Sequence, residues 1–277
     1  MSQSKHLLIT GVSSGFGRAL AGEALAAGHR VVGTVRDADA ATAFQALSPA
    51  RARARLLDVT DFEAIDPLVR EIEANLGPID VLVNNAGYGH EGVMEESPLA
   101  EMRRQFDVNV FGAVAMMKAV LPGMRSRRAG RILNITSMGG FITMPGIAYY
   151  CGSKFALEGI SEAVGKEVRH LGIHVTAVAP GSFRTDWAGR SMVRTPRSIS
   201  DYDALFDPVR QRRKEASGRQ LGNPDKAARA MLRVIEDEAP PAHLVLGSDA
   251  LTLIREKVAD LQGELSRWEG LTRSTDG

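Results

Sequence analysis

Tyr150 and Lys154 stand four residues apart in the helical pattern Tyr150-Cys151-Gly152-Ser153-Lys154, which puts both side chains on one face, one turn apart. A free phenol titrates near about 10 and is a poor base at neutral pH. A neighbouring ammonium favours the phenolate; a lowering of about 2–3 units takes roughly 3–4 kcal/mol, which a desolvated, positively charged site can supply. Taken alone, the pair reads equally well as surface neighbours on a helix. Ser137 follows the apolar run Arg131–Thr136, thirteen residues before Tyr150. A hydroxyl at a strand's C-terminal end can hydrogen-bond a substrate oxygen presented to the phenol. Asn109 interrupts an otherwise apolar helical pattern, Asp107-Val108-Asn109-Val110-Phe111-Gly112. A buried amide is unfavourable without partners, so it bridges structure or serves chemistry.

The elements that must position these groups begin at the N-terminus. Thr10-Gly11-Val12-Ser13-Ser14-Gly15-Phe16-Gly17 follows the apolar run Leu7-Leu8-Ile9. That order reads as a buried strand, a glycine turn and a helix start, the arrangement that receives a dinucleotide pyrophosphate. Gly11 permits the sharp turn, Gly15 admits close approach of backbone to phosphate, and Gly17 lets helix and sheet pack closely. The glycine spacing is G-x3-G-x-G rather than G-x-G-x-x-G. Further β-like runs follow at Arg30–Val35, Ala54–Asp58, Ile79–Asn84, Arg131–Thr136, His174–Val178 and His243–Leu246. Most are apolar on consecutive positions, as in strands covered on both faces. Helical patterns lie between them at Phe16–Ala27, from the cap Asp61 to about Asn75, at Leu99–Met124 and at Tyr149–His170. The alternation predicts a single α/β domain over 1–277, a doubly wound parallel sheet with helices on both faces. Regularity breaks at 182–222, a polar span holding Pro196 and Pro208 with scattered bulky residues. It predicts an irregular substrate lid, because it follows a strand's C-terminal end. The tail, 249–277, reads as a charged helix over Asp249–Trp268.

Composition sets the bounds. With 277 residues, 44% of them hydrophobic, the chain can bury a sizeable core. The 34 basic and 33 acidic residues leave no global field for nucleic acid or an anionic membrane. One cysteine, Cys151, excludes an internal disulfide and suits a reducing compartment. The histidines show no metal-ligand spacing, so no metal is expected. Without signal-peptide organisation or an apolar run near the roughly 20 residues that span a bilayer, a soluble, cytoplasmic protein is expected.

In order and approximate spacing, the glycine motif at 10–17, Asn84-Asn85-Ala86-Gly87, Asn109, Ser137, Tyr150, Lys154 and Pro180-Gly181 resemble the classical short-chain dehydrogenase/reductase family. The resemblance covers about 5–185 and, more faintly, 222–248 through Asn223-Pro224-Asp225 and Leu246-Gly247. It implies a Rossmann-type, seven-stranded sheet of order 3-2-1-4-5-6-7 and a nicotinamide oxidoreductase acting on a carbonyl or secondary alcohol. Tyr150 would then be the general acid in reduction and the base in oxidation. Lys154 would lower its pKa and bind the nicotinamide ribose, Ser137 would orient the substrate oxygen, and Asn109 would hold a water relaying protons toward Lys154. Tyr149 lacks both a lysine four residues on and the interval from Ser137, and is assigned to packing or the pocket wall. The cofactor would lie against Gly11, Ser13, Ser14, Gly15, Phe16, Gly17, Asp58, Val59, Asn85, Ala86, Gly87, Tyr150, Lys154, Pro180, Gly181, Phe183 and Thr185. A homodimer or homotetramer through the two long helices is implied as well. The alternative is a nicotinamide-binding regulatory or scaffold protein with little or no turnover.

An NAD enzyme presents an acid near the end of the second strand for the ribose 2′-hydroxyl. By alignment that position is Val35, and Arg36 follows, suited to a 2′-phosphate. NADP(H) is favoured; Asp37 keeps NAD(H) open. Asp58 could meet the adenine amino group or simply cap the next turn. Expected pocket walls are Tyr88–Gly92, Met138–Ile142, Met144, Tyr149 and the lid, with His90, Glu91 and Arg184 admitting a polar substrate.

Overall fold

Leu7, Leu8 and Ile9 are all buried, yet they enter two different cores. Successive side chains leave a strand on opposite faces, so Leu7 and Ile9 join one apolar cluster and Leu8 the other. That is the cause of the unbroken apolar run in β1 (His6–Thr10). The computed structural model describes residues 4–277. After β1 come α1 (Gly15–Ala26), β2 (Arg30–Val35), α2 (Ala38–Gln45), β3 (Ala52–Leu56), α3 (Phe62–Leu76), β4 (Val81–Asn84), β5 (Gly89–Glu91) and α4 (Leu99–Phe106). They are followed by α5 (Gly112–Arg127), β6 (Gly130–Ile135), α6 (Ala148–Val168), β7 (Ile173–Pro180), β8 (Met192–Arg194), α7 (Asp203–Glu215), α8 (Pro224–Glu236), β9 (His243–Leu246) and α9 (Ser248–Arg273).

The main sheet has seven parallel strands in the order β3-β2-β1-β4-β6-β7-β9, which is the expected order. Leu20, Phe44 and Met231 bring α1, α2 and α8 onto one face. Ile65, Met116, Val120 and Val168 bring α3, α5 and α6 onto the other. Strand order reverses between β1 and β4, and a crevice opens beyond the strands' C-terminal ends there.

Outside 182–222, two helices escape the sequence pattern. Helix α2 has eight residues and buries only Phe44, too short a signal for a period. Helix α8 is better marked, by the Asn223 cap, Pro224 in the first turn and a buried face of Ala227, Ala228, Met231, Leu232 and Ile235. The long helix expected at 99–124 is divided by a π-helical turn, Asp107–Phe111, which holds Asn109. By length and composition alone, Leu99–Arg127 could cross a membrane. A count of uninterrupted apolar residues does not detect this, and Met116, Met117, Val120 and Met124 are buried in the second core.

The span 182–222 is not irregular, as the sequence suggests, but ordered. Strand β8 pairs in parallel with β5, and α7 follows. Its one buried residue is Phe206, so electrostatics holds it rather than an apolar face. Glu91, fully buried, accepts ion pairs from Arg194 at 3.1 Å, Arg210 at 3.2 Å and Arg213 at 2.5 Å. Glu96 accepts from Arg197 at 2.9 Å and from the amides of Ser198 and Ile199. Arg197 also binds Asp203 and Asp207 and lies over the Phe206 ring.

The turn after β1 is closely packed. The Asn85 amide donates to the carbonyls of Thr10 and Gly11, both at 2.9 Å. A Cβ at Gly17 would lie 2.4 Å from the Asn85 amide nitrogen and from the Gly11 carbonyl oxygen. Gly11 itself sits at φ +71°, where side chains are strained. Gly17→Ala should therefore cost about 1–3 kcal/mol as an overpacking defect, read as a fall in thermal midpoint; an unchanged midpoint would mean that the turn yields freely.

Candidate active site

A cavity of about 1100 Å³ lies at the C-terminal edge of the sheet, beneath the lid. At one end α1 begins. Its cap, Ser14, is extended (φ −158°) and makes no side-chain capping bond. The leading N–H groups and the positive end of the helix dipole are thus available to an anion. Gly11, Ser13, Ser14, Gly15 and Phe16 line the cavity there. Gly17 does not; its part is the packing against Asn85. The Asn85 side chain is likewise committed to the glycine turn, while Asn85, Ala86 and Gly87 line the wall.

Arg36, at the end of β2, is exposed and faces this space. Asp37 lines the same space, and its Oδ1 also caps α2 by accepting from the Ala40 amide at 2.8 Å. Asp58 accepts from the Thr60 amide at 3.0 Å and from its hydroxyl at 2.8 Å. The Thr60 amide hydrogen bond leads in holding the Asp58 carboxyl below its usual range, with Arg36 and Arg104 adding to it. Asp58 therefore caps its turn and also lines the cavity, beside Val59.

Farther along stand Ser137, Tyr150 and Lys154. Ser137 caps a 3-10 turn by accepting from the Gly139 amide at 3.0 Å. Tyr150 and Lys154 leave the first turns of α6 together and are both buried. Burial pushes the Tyr150 phenol well above its ordinary value, opposed by a hydrogen bond with Ser137. Burial lowers the Lys154 ammonium to about 8, opposed by the Glu158 carboxylate one turn on. Lys154 Nζ donates to the Ile135 carbonyl at 2.8 Å and lies 5.7 Å from the centre of the Tyr150 ring. Desolvation is the leading influence on the phenol in this structure.

Asn109 is buried outside the cavity lining, behind Gly87 and Tyr88. Its Oδ1 accepts from the Tyr88 amide at 3.1 Å, and its Nδ2 donates to the Tyr88 carbonyl and to Ser153 Oγ. Ser153 Oγ in turn donates to the Tyr150 carbonyl at 2.7 Å. The amide thus links the π-helical turn, the loop after β4 and the first turn of α6. A π turn at such a point is the usual way to aim a side chain out of helical register.

Pro180, Gly181, Phe183 and Thr185 close the far wall. Phe183 meets Phe16 edge-on at 5.1 Å, and Trp187 tilts against Tyr150 at 4.9 Å. Met138, Met144, Ile147, Val193 and Val209 give this end an apolar lining. The expected walls His90, Glu91, Tyr149 and Arg184 are not part of it. His90 binds Thr195 and stacks on Tyr149, whose hydroxyl donates to the Ser97 carbonyl. Arg184 donates to the carbonyls of Gln220 and Leu221. Glu158 escaped the sequence reading. It accepts from Thr136 Oγ1 at 2.5 Å and pairs with His243 at 2.9 Å, tying α6 to β6 and β9. An acid four residues beyond Lys154 was the available signal.

A family model described as short chain dehydrogenase matches residues 5–193. An oxidoreductase of Botryotinia fuckeliana, BOA17, is 33% identical over 97% of this chain and 98% of its own. An NADPH-dependent 3-dehydrocapnine reductase of Ornithobacterium rhinotracheale is 33% identical over 73% of this chain and 74% of its own. The crystal structure of a short-chain dehydrogenase from Streptomyces avermitilis superposes with a TM-score of 0.92 at 40% identity, over 99% of this chain and 100% of that one.

The buried ammonium carries a stability cost with a defined pH window. The unfolded chain holds the Lys154 proton up to about 10.5, the folded one only to about 8, so the cost is full below pH 8 and is relieved between those values. Lys154→Met removes roughly 3 kcal/mol of that cost and forfeits about 1 kcal/mol of hydrogen bond to Ile135. The variant should melt above the wild type at pH 7, with the gain shrinking toward pH 10.5; a lower melting point at pH 7 would contradict this.

Proposed function

The chain belongs to the short-chain dehydrogenase family, and from that premise we propose that it moves a hydride between NADP(H) and a carbonyl or secondary-alcohol carbon, with Tyr150 as general acid and base. The family makes it an NAD(P)-dependent oxidoreductase; the preference for the phosphorylated cofactor and the residue roles are our reading. The observation that carries it is a buried phenol, Tyr150, that lines a dinucleotide-sized cavity together with Ser137 and stands one helical turn from the Lys154 ammonium.

The residues present suit the cofactor. The uncapped start of α1 and Gly15 would hold the pyrophosphate. Asp58, Val59, Ala86 and Gly87 would border the adenosine, and Pro180, Gly181, Phe183 and Thr185 the nicotinamide side. Lys154 would bind the ribose hydroxyls. When bound, the nicotinamide supplies or accepts the hydride, and the protein's part is orientation and a proton.

Ser137 holds the substrate oxygen by a hydrogen bond and fixes it beside the Tyr150 hydroxyl. In reduction, Tyr150 donates the proton from its Oη to that oxygen as the alkoxide develops. The upward shift of the phenol keeps this proton in place through neutral pH. The Lys154 ammonium then faces the phenolate that donation leaves, and their attraction in a dry site limits its cost. Asn109 positions the first turn of α6 through Ser153, and a water held by its neighbourhood would return the proton. The Met, Trp and Val lining suits a carbonyl with an apolar body.

For the cofactor, the exposed Arg36 lines the cavity just beyond β2 and would grip a 2′-phosphate, while Asp37 beside it has one carboxylate oxygen engaged in capping α2. The NADPH-dependent relative named above is consistent with that preference. Assembly as a dimer or tetramer through α4, α5 and α6 completes the reading. The exposed Phe111 and Phe155 on those elements support it.

Two measurements test the proposal. Tyr150→Phe should cut turnover across a carbonyl panel by at least about a hundredfold, the scale of a lost general acid, with NADPH affinity nearly intact. Turnover within a few-fold of wild type would refute the role. Arg36→Ala should weaken NADPH by about tenfold or more, a lost charge-assisted contact, and NADH hardly at all; equal losses would remove the phosphate contact.

A further inference from the structure

Helix α9 runs from Ser248 to Arg273, about 39 Å at the usual rise. Only its root is attached. Ala250 is buried, Ile254 is half-buried, and Asp249 accepts from the Ser182 amide at 2.7 Å. Every residue from Arg255 onward is exposed. Exposed with them are large apolar side chains: Val258 at 61%, Leu261 at 46%, Leu265 at 57% and Trp268 at 58%. A solvated helix does not place such residues in register by need.

Their register is regular. Leu251, Ile254, Val258, Leu261, Leu265 and Trp268 alternate steps of three and four, the a and d positions of a coiled-coil seam. The two glycines, Gly263 and Gly270, fall at the outward f position, where a missing side chain costs the seam nothing. We propose that α9 is a pairing element that docks antiparallel against α9 of a second copy of this chain.

The charges beside the seam choose both the occupant and the direction. Lys257 and Glu264 occupy g positions, and Arg255, Gln262 and Glu269 occupy e positions. Antiparallel helices bring g against g. A register that lays Leu251 on the partner's Trp268, Ile254 on the partner's Leu265 and Val258 on the partner's Leu261 fills every layer in both directions. In that register Lys257 meets the partner's Glu264 twice, by two-fold symmetry. Parallel pairing brings g against e instead, and sets Glu264 against the partner's Glu269 twice. Like charges there repel. The helix is therefore complementary to itself, and in one direction only. An anionic bilayer is a poorer occupant: beyond the root, Arg255, Lys257, Arg267 and Arg273 are balanced by Glu256, Asp260, Glu264 and Glu269, so the helix lacks the basic polar face such a surface binds.

Disulfide trapping in the full chain decides the matter, with each variant checked for an unchanged thermal midpoint. Under mild oxidation, Leu251→Cys/Trp268→Cys should yield a covalent dimer, while either single variant should yield none. A double variant that stays uncrosslinked overturns pairing, and a dimer formed by Leu251→Cys alone overturns the antiparallel direction. Sedimentation gives an independent reading. Lys257→Glu and Glu264→Lys should each weaken the association roughly tenfold, and the double swap should restore it to within about threefold. Tighter association of Glu264→Lys is the parallel outcome, and no change in any variant means that this helix carries no contact between copies.

Discussion

The fold turns on one awkward placement, an ammonium buried against the edge of a sheet. Lys154 is held by the Ile135 carbonyl at the C-terminal end of β6, with Tyr150 one turn before it and Glu158 one turn after. An ionised amine in so dry a place is tolerable only where hydrogen bonds and an opposite charge surround it. The surroundings are built to that end. Glu158 is itself bound by Thr136 and His243, which draws β6 and β9 onto the same helix. Asn134, buried between β4 and α6, donates to Ser161 and accepts from Asn84. A chain of polar contacts therefore runs through an otherwise apolar seam and fixes the angle at which α6 presents its first turn. The Ser153–Asn109 contact fixes the other side of that turn. These contacts, rather than the lysine itself, locate the helix that presents Tyr150 and Lys154.

The lid obeys a different rule. Helix α7 has almost no apolar face, and a polar helix of 13 residues is marginal in water. It stays ordered because Glu91 and Glu96 are buried acids that require several donors each, and the lid brings the arginines. Removing solvent from Glu91 is costly unless it is paired, and three guanidiniums pair it. Arg213 and Arg212 of α7 also line the cavity. The same helix that satisfies Glu91 thus roofs the space above Tyr150.

What the sequence made legible follows from this division. Apolar runs and glycine turns depend on local chemistry, so the seven strands could be read directly, while Ser137, Tyr150 and Lys154 were singled out by their spacing and by the family resemblance. The lid could not, because its hold is ion pairs between residues about a hundred positions apart, such as Arg194 with Glu91. Composition gives no sign of which arginine meets which acid. Glu91 reads as a pocket group for the same reason, and His90 and Arg184 do so because their partners, the Thr195 hydroxyl and the Gln220 and Leu221 carbonyls, are also set by the tertiary fold. Asp37 has a double position of the same kind: its carboxylate caps α2 and it lines the cavity beside Arg36.

Helix α9 marks a subtler limit. Its spacing of three and four is visible in the sequence, yet the same spacing would serve a helix packed on its own domain. Burial decides between the two readings. Met231 and Ile235 of α8 carry a comparable apolar period and disappear into the first core, while Val258 and Leu265 of α9 remain in solvent. The helix also starts where the far wall of the cavity ends. Asp249 holds the Ser182 amide, and a Cβ at Gly181 would lie 2.3 Å from that carboxylate. Any force on α9 is therefore borne by the loop that carries Gly181, Ser182 and Phe183. The root of α9 and the far wall of the cavity thus share one carboxylate, Asp249, so a partner docked on the helix would bear on that wall as well.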